Sequence, residues 1–202
     1  MEVILAPRTE EQFEKIREKS RKLIINTAME LFAYYGYHST TIEKISKKAG
    51  ISKGLIYNYY KSKDELLEIV LLQGFDFFNE MSEISQIEIS AYEKLQLLLE
   101  NFTTSLQENL PFWKLYQNII SQPSIMHKLT KFKEYYESIF GPLLMSIFIR
   151  LYGNEISEQE IQIEMMLFAA FLDGIAFDYV IMGEEYPLNA IAQRLLRKYR
   201  KG

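Results

Sequence analysis

Apolar residues recur along this chain at spacings of three and four, with no alternation of strand-like and helix-like segments, and that periodicity predicts an all-α protein. A first long stripe, Ile16, Leu23, Ile24, Ala28, Leu31, Phe32 and Tyr35, predicts a helix over 10–35 that Gly36 ends. Two short patterns follow. Ile42, Ile45 and Ala49 share one face, and so do Leu55, Ile56 and Tyr60. Between them, Gly50 supplies the positive φ that stops a helix abruptly, and Ser52 is placed to cap the next one. Upstream, Tyr37, His38 and Ser39 lead to Thr40 as the expected cap of the second helix. Ser62-Lys63-Asp64-Glu65 reads as a capping box opening a fourth helix, with a stripe of Leu66, Leu67, Val70, Leu71, Phe75 and Phe78.

Residues 1–9 are expected to form a loose arm, and the polar, Ile-dotted segment 80–90 a linker. Five further helices are drawn over 92–108, 111–121, 124–152, 157–182 and 187–200, about nine in all. Pro111 and Pro187 suit first-turn positions, where the missing N–H costs little. Gly141-Pro142 should kink or interrupt the long helix over 124–152.

The segment 41–60 has the form of a helix-turn-helix, two short helices about a glycine-containing turn, whose second helix can enter a DNA major groove. Charge agrees with that form. Six lysines (44, 47, 48, 53, 61 and 63) face only Glu43 between positions 43 and 63, although the whole chain carries −4. The asymmetry extends further: residues 1–70 hold twelve Lys/Arg and ten Asp/Glu, the remainder eleven and seventeen. A basic reader on an acidic body accounts for this better than uniform acidity. Lys15, Arg17, Lys19, Arg21 and Lys22, interleaved with Glu14 and Glu18, read as a solvated face with i,i+4 pairs, with room for one or two phosphate contacts.

Thr40-Thr41, Ile42, Ile45, Ala49-Gly50-Ile51-Ser52-Lys53-Gly54, Ile56-Tyr57-Asn58-Tyr59-Tyr60 and Lys61-Ser62-Lys63-Asp64-Glu65-Leu66-Leu67 together resemble the amino-terminal domain of the tetracycline-repressor (TetR) family. The resemblance covers roughly positions 18–78 and joins turn, recognition helix, Lys-Ser-Lys linker and fourth helix in one order. It implies a DNA-binding domain over 18–78, preceded by an arm and the start of helix 1 over 1–17, and a ligand-binding and dimerisation domain over 79–202. It also implies phosphate positioning by Thr41, Tyr57, Tyr59 and Lys63, and base or backbone contact by Ser52, Lys53, Gly54 and Asn58. Tyr59 stands where the family commonly has histidine, and Asn58 where it varies, so base preference there stays open.

Body aromatics cluster over 102–152, and a stripe at helical spacing usually means core. The family resemblance adds a pocket among them for a small hydrophobic or aromatic ligand, with Phe102, Trp113, Tyr116, Tyr135, Phe140, Phe171 and Asp173 as the candidate lining. Phe168 to Met182 echoes the family's dimer-forming helix, and Ala169, Ala170, Gly174 and Ala176 would let a partner helix approach closely. With Ile191, Leu195 and Leu196 this face is expected to form a four-helix interface across a two-fold axis. Asp173 and Asp178 are either exposed edge residues or acids facing a pocket that takes a cationic ligand. The basic last turn (Arg194, Arg197, Lys198, Arg200, Lys201) reads as complementing the helix dipole.

The chain lacks cysteine, which removes disulfides and thiolate chemistry and fits a reducing cytoplasm. No signal peptide is expected from its first ten residues, and no apolar run is expected to approach the ~20 residues that span a bilayer. No catalytic constellation, metal site or cofactor motif emerges: His38 and His127 are far apart without ligand-spaced partners, and Glu134 and Glu137 read as surface charges. The resulting expectation is a cytoplasmic, non-enzymatic, ligand-responsive repressor binding a near-palindromic double-stranded operator as a homodimer. A non-specific architectural DNA binder and a helical enzyme with an unrecognised site are the alternatives.

Overall fold

The computed structural model describes residues 9–74, 84 and 87–200, and all its regular elements are helical. It divides into two compact units, residues 1–70 and 71–202, with the division falling inside the fourth helix. Residues 1–8 of the expected arm, Phe75 and Phe78 of the fourth stripe, most of the expected linker, and Lys201 lie outside the described residues, while Thr9 of that arm is the cap of the first helix.

The first unit holds α1 (Glu10–Tyr35), α2 (Ile42–Ala49), α3 (Lys53–Tyr59) and the start of α4 (Lys63–Gly74). Thr9 caps α1 in a full capping box with Gln12. Ile24, Ile25, Ala28, Leu31 and Phe32 of α1 are buried, as are Ile42, Ile45, Ile56 and Tyr60. Three members of the expected α1 stripe are not: Ile16, Leu23 and Tyr35 are exposed. A 26-residue helix is longer than the partners its unit offers, so only its second half finds a core to enter.

The second unit contains α5 (Ala91–Glu108), α6 (Leu110–Ile120), α7 (Pro123–Met126), α8 (Thr130–Tyr135), α9 (Gly141–Tyr152), α10 (Glu158–Met182) and α11 (Leu188–Lys198). The helix expected over 124–152 is thus realised in pieces. A π-helical turn, Tyr136–Phe140, runs directly into Gly141-Pro142. Proline cannot donate the next backbone hydrogen bond, and the wider turn absorbs the mismatch.

Two aromatic knots anchor this unit. Trp113 meets Phe102 edge-on at 5.3 Å and Phe112 at 5.2 Å, while its indole N–H donates to Ser105 Oγ at 3.1 Å. Tyr199 packs edge-on against Phe148 (5.4 Å) and Phe168 (5.7 Å), pinning the residue after α11 to α9 and α10. Capping boxes at Ser90/Glu93 and Ser157/Glu160 start α5 and α10. The hydrogen bonds from Ser90 and Ser157 hold both glutamates below the usual carboxylate pKa.

One expectation is corrected here. The helix over Glu158–Glu185 is long and apolar enough to cross a membrane by length and composition, and 28% of its apolar 18-residue window is buried. Its inward face is Ile161, Phe168, Leu172, Ile175, Ala176 and Tyr179. Its outward face is apolar as well, which a count of consecutive apolar residues interrupted by Asp173 and Asp178 does not reveal.

Candidate nucleic-acid interface and ligand site

The helix-turn-helix is built by its caps. Thr41, not Thr40, is the N-cap of α2: its hydroxyl oxygen accepts from the Lys44 N–H at 3.2 Å. Thr40 is fully buried instead, sharing its hydroxyl proton between the carbonyls of Gly36 (2.9 Å) and Leu31 (3.1 Å) at the end of α1. Gly50 closes α2 in the left-handed region, φ 66°, where a side chain would be strained. Ser52 caps α3 by accepting from the Leu55 N–H at 3.1 Å. With Ile56 buried, α3 presents Lys53, Gly54, Tyr57 and Asn58 to solvent on one face, and Tyr59 half-buried at its edge.

The six lysines divide into two sets. Lys44 donates to the Ser39 carbonyl at 2.7 Å, Lys48 pairs with Glu30, and Lys63 donates to the carbonyls of Tyr37 (2.8 Å) and Thr40 (2.9 Å). Lys47, Lys53 and Lys61 make no side-chain hydrogen bond or ion pair among the described residues. The last three therefore keep every ammonium donor available to a phosphate. Asp64 accepts the Tyr37 hydroxyl beside Lys63, and burial followed by this hydrogen bond raises the tyrosine's pKa well above its ordinary value. Sequence reading missed this cluster because Tyr37 and Lys63 are 26 residues apart.

Of the seven candidate ligand residues, Phe102, Trp113, Tyr116 and Asp173 are linked by contacts among the described residues. Phe102, Trp113 and Tyr116 are contiguous, with Trp113 and Tyr116 5.6 Å apart, and Tyr116 reaches Asp173 through a long 3.5 Å hydrogen bond. Gln117, not foreseen, donates to the Asp173 carbonyl at 3.4 Å. Asp173 is exposed as a residue, yet its carboxyl is hemmed in closely enough for lost hydration to raise its pKa, against the downward pull of the Tyr116 hydroxyl. Phe140 is buried, and the Tyr135 side chain lies outside the described residues.

Phe171 points elsewhere, into a groove of about 420 Å³ between α10 and α11 that Gly174, Asp178, Tyr186, Arg194 and Lys198 also line. Lys198 lies 5.9 Å over the Phe171 ring and pairs with Glu164 at 3.1 Å, so it does more than complement a helix dipole. Along α10, the exposed side chains Ile163, Met166, Leu167, Phe171, Phe177 and Ile181 form one apolar stripe, Met166 and Ile181 being 65% and 66% exposed.

A capped helix-turn-helix with an exposed polar reading face, joined in one chain to a helical body, defines a DNA-binding transcriptional regulator of the one-component type. The comparisons with known proteins agree: residues 24–70 match the family described as bacterial regulatory proteins, tetR family. It is similar to the fatty acid metabolism regulator protein of Bacillus subtilis, with 25% identity over 177 residues, 86% of this chain and 90% of that one. An uncharacterised helix-turn-helix transcriptional regulator of the same organism is 46% identical, but over 59 residues only, 29% of this chain and 20% of that protein. Among solved structures, the regulator FadR of B. subtilis in complex with stearoyl-CoA shares the fold, with a TM-score of 0.75 and 24% identity over 88% of this chain and 96% of that one.

Proposed function

We propose that the protein is a cytoplasmic, homodimeric, ligand-responsive repressor, not an enzyme, that holds a near-palindromic operator through α3 of each subunit. Gly54 carries this reading. A Cβ there would meet nothing closer than the Ser52 Oγ at 4.0 Å, so nothing inside the fold requires glycine, which costs a helix about 1 kcal/mol against alanine. Close approach of a DNA backbone or base edge from outside does require it. Lys53 then donates to guanine O6/N7, Ser52 and Asn58 contact bases or backbone, and Thr41, Tyr57 and Tyr59 position phosphates. Lys63 serves that positioning by holding the loop before Thr41. In this reading residues 18–78 form the DNA-binding domain and 79–202 the ligand and dimer domain.

The second subunit binds the outward stripe of α10, with α11 alongside. Gly174 supports this: a Cβ there also meets nothing within 4 Å, and a small residue amid an exposed apolar stripe suits a closely approaching helix. Phe171 then belongs to the subunit interface. The ligand belongs to the Tyr116–Asp173 end of the Phe102–Trp113 cluster, and a long-chain acyl thioester is its best-supported class, given the B. subtilis relative's name and the stearoyl-CoA in the structure of like fold. Its binding would favour a body shape that holds the two readers at the wrong spacing.

The test is selection of binding sites from random duplex DNA at physiological salt, followed by titration of the selected complex with stearoyl-CoA. One enriched palindrome, released by the thioester, is the expected result. Uniform, steeply salt-dependent enrichment would instead mean a non-specific coat protein, and a selected complex insensitive to the thioester would remove the ligand assignment alone.

A further inference from the structure

Arg21 lies on α1, among cations that the sequence pattern assigns to a solvated face. Its neighbours do behave that way: Arg17 pairs with Glu14 at 3.4 Å and Lys22 with Glu18 at 3.0 Å, all well exposed. Arg21 does not. It makes no ion pair among the described residues, and its guanidinium carbon sits 5.6 Å from the centre of the Tyr59 ring, at the edge of the reading face of α3. The position follows from helix geometry, because residue 21 is three and four residues before the buried Ile24 and Ile25 and so stands on the rim of the face α1 turns inward. The same charge is felt by Tyr60, where it opposes the rise in phenol pKa that burial causes.

A guanidinium carries its N–H groups in one planar fork, the geometry that engages two oxygens of a phosphate at once. At 5.6 Å the Tyr59 ring attracts the cation through its negative face and favours this placement of the fork. Tyr59, itself half-buried, adds its hydroxyl as a further donor.

We propose that Arg21 and Tyr59 act together as one anion-binding unit for a phosphodiester of the DNA backbone, so that α1 contributes directly to the nucleic-acid interface. This rests on the DNA-binding reading above. Tyr59 is then more than a phosphate contact on the recognition helix: it is the platform that fixes a cation from a different element.

The experiment is fluorescence anisotropy of the full chain on a labelled duplex carrying the selected palindrome and on a scrambled duplex, across 50–200 mM salt, for the wild type, Arg21→Ala, Arg21→Lys, Tyr59→Ala and the double alanine variant. Thermal melts of each protein accompany it. Arg21→Ala should weaken both duplexes and flatten the salt slope by about one unit, so that it loses about 3.5-fold less affinity than the wild type over that range. Arg21→Lys should keep the slope and recover part of the affinity. The double variant should bind no more weakly than the weaker single one, because each removes the same unit. Unchanged affinity and slope in Arg21→Ala, with the wild type binding normally, would overturn the proposal and leave the DNA-binding reading standing. So would strictly additive losses in folded variants. A wild type that binds neither duplex would overturn the DNA-binding reading and this proposal with it.

Discussion

The Lys63 ammonium lies 4.1 Å from the centre of the Tyr37 ring and donates to the carbonyl of that same residue at 2.8 Å. A second bond, to the Thr40 carbonyl at 2.9 Å, makes it a clamp on the loop that delivers Thr41 to the start of α2. Truncating it leaves two carbonyls without their charged donor. Lys63→Ala should lower the unfolding free energy by roughly 2 kcal/mol in urea titration, from hydrogen bonds to a charged group and a cation–π contact. It should also weaken all duplex sequences alike. Loss of affinity with an unchanged melt would show that Lys63 serves the phosphate alone.

Gly54 sets stability against function. With open space where its Cβ would stand, Gly54→Ala should stabilise the protein by up to about 1 kcal/mol in the same titration. Operator affinity should fall at least tenfold, roughly 1.4 kcal/mol, because the added methyl separates α3 from the groove. A variant that is more stable and binds as tightly would remove the close-approach argument.

The outward stripe of α10 predicts a subunit interface. Phe177→Glu and Ile181→Glu place carboxylates at positions 52% and 66% exposed in the single chain, so the fold of one subunit should tolerate them. Sedimentation equilibrium should give a dimer for the wild type and a monomer near 23.9 kDa for the variants, with operator binding reduced accordingly. A monomeric wild type at micromolar concentration would count against pairing through this face.

Asp173 has a signed consequence for pH. Burial raises its pKa in the folded state, so folding favours its protonated form. The associated stability is fully present below the ordinary carboxylate value of about 4 and is lost as pH rises through the raised one. Asp173→Asn, which cannot ionise, should flatten that part of the profile and match or exceed the wild type at neutral pH in urea titrations between about pH 4 and 7. An unchanged profile would mean that the carboxyl is as well hydrated folded as unfolded.

The all-helical class, the turn at Gly50, the cap at Ser52 and the exposed face of α3 were legible from the sequence alone. Each is decided within a few residues, by a periodicity of 3.6, a positive φ or a side-chain oxygen reaching an N–H three positions on. What required the tertiary structure is pairing across long separations. Nothing in the lysine run distinguishes Lys63, held by Tyr37 and Thr40, from Lys53, which faces solvent, and nothing in the charged surface of α1 singles out Arg21 over Tyr59. The same holds for the seven body residues, which helical spacing cannot sort between the Trp113 cluster and the α10–α11 groove. A stripe records that a face is apolar; which neighbour covers it depends on how the helices pack, and that is set by the whole chain.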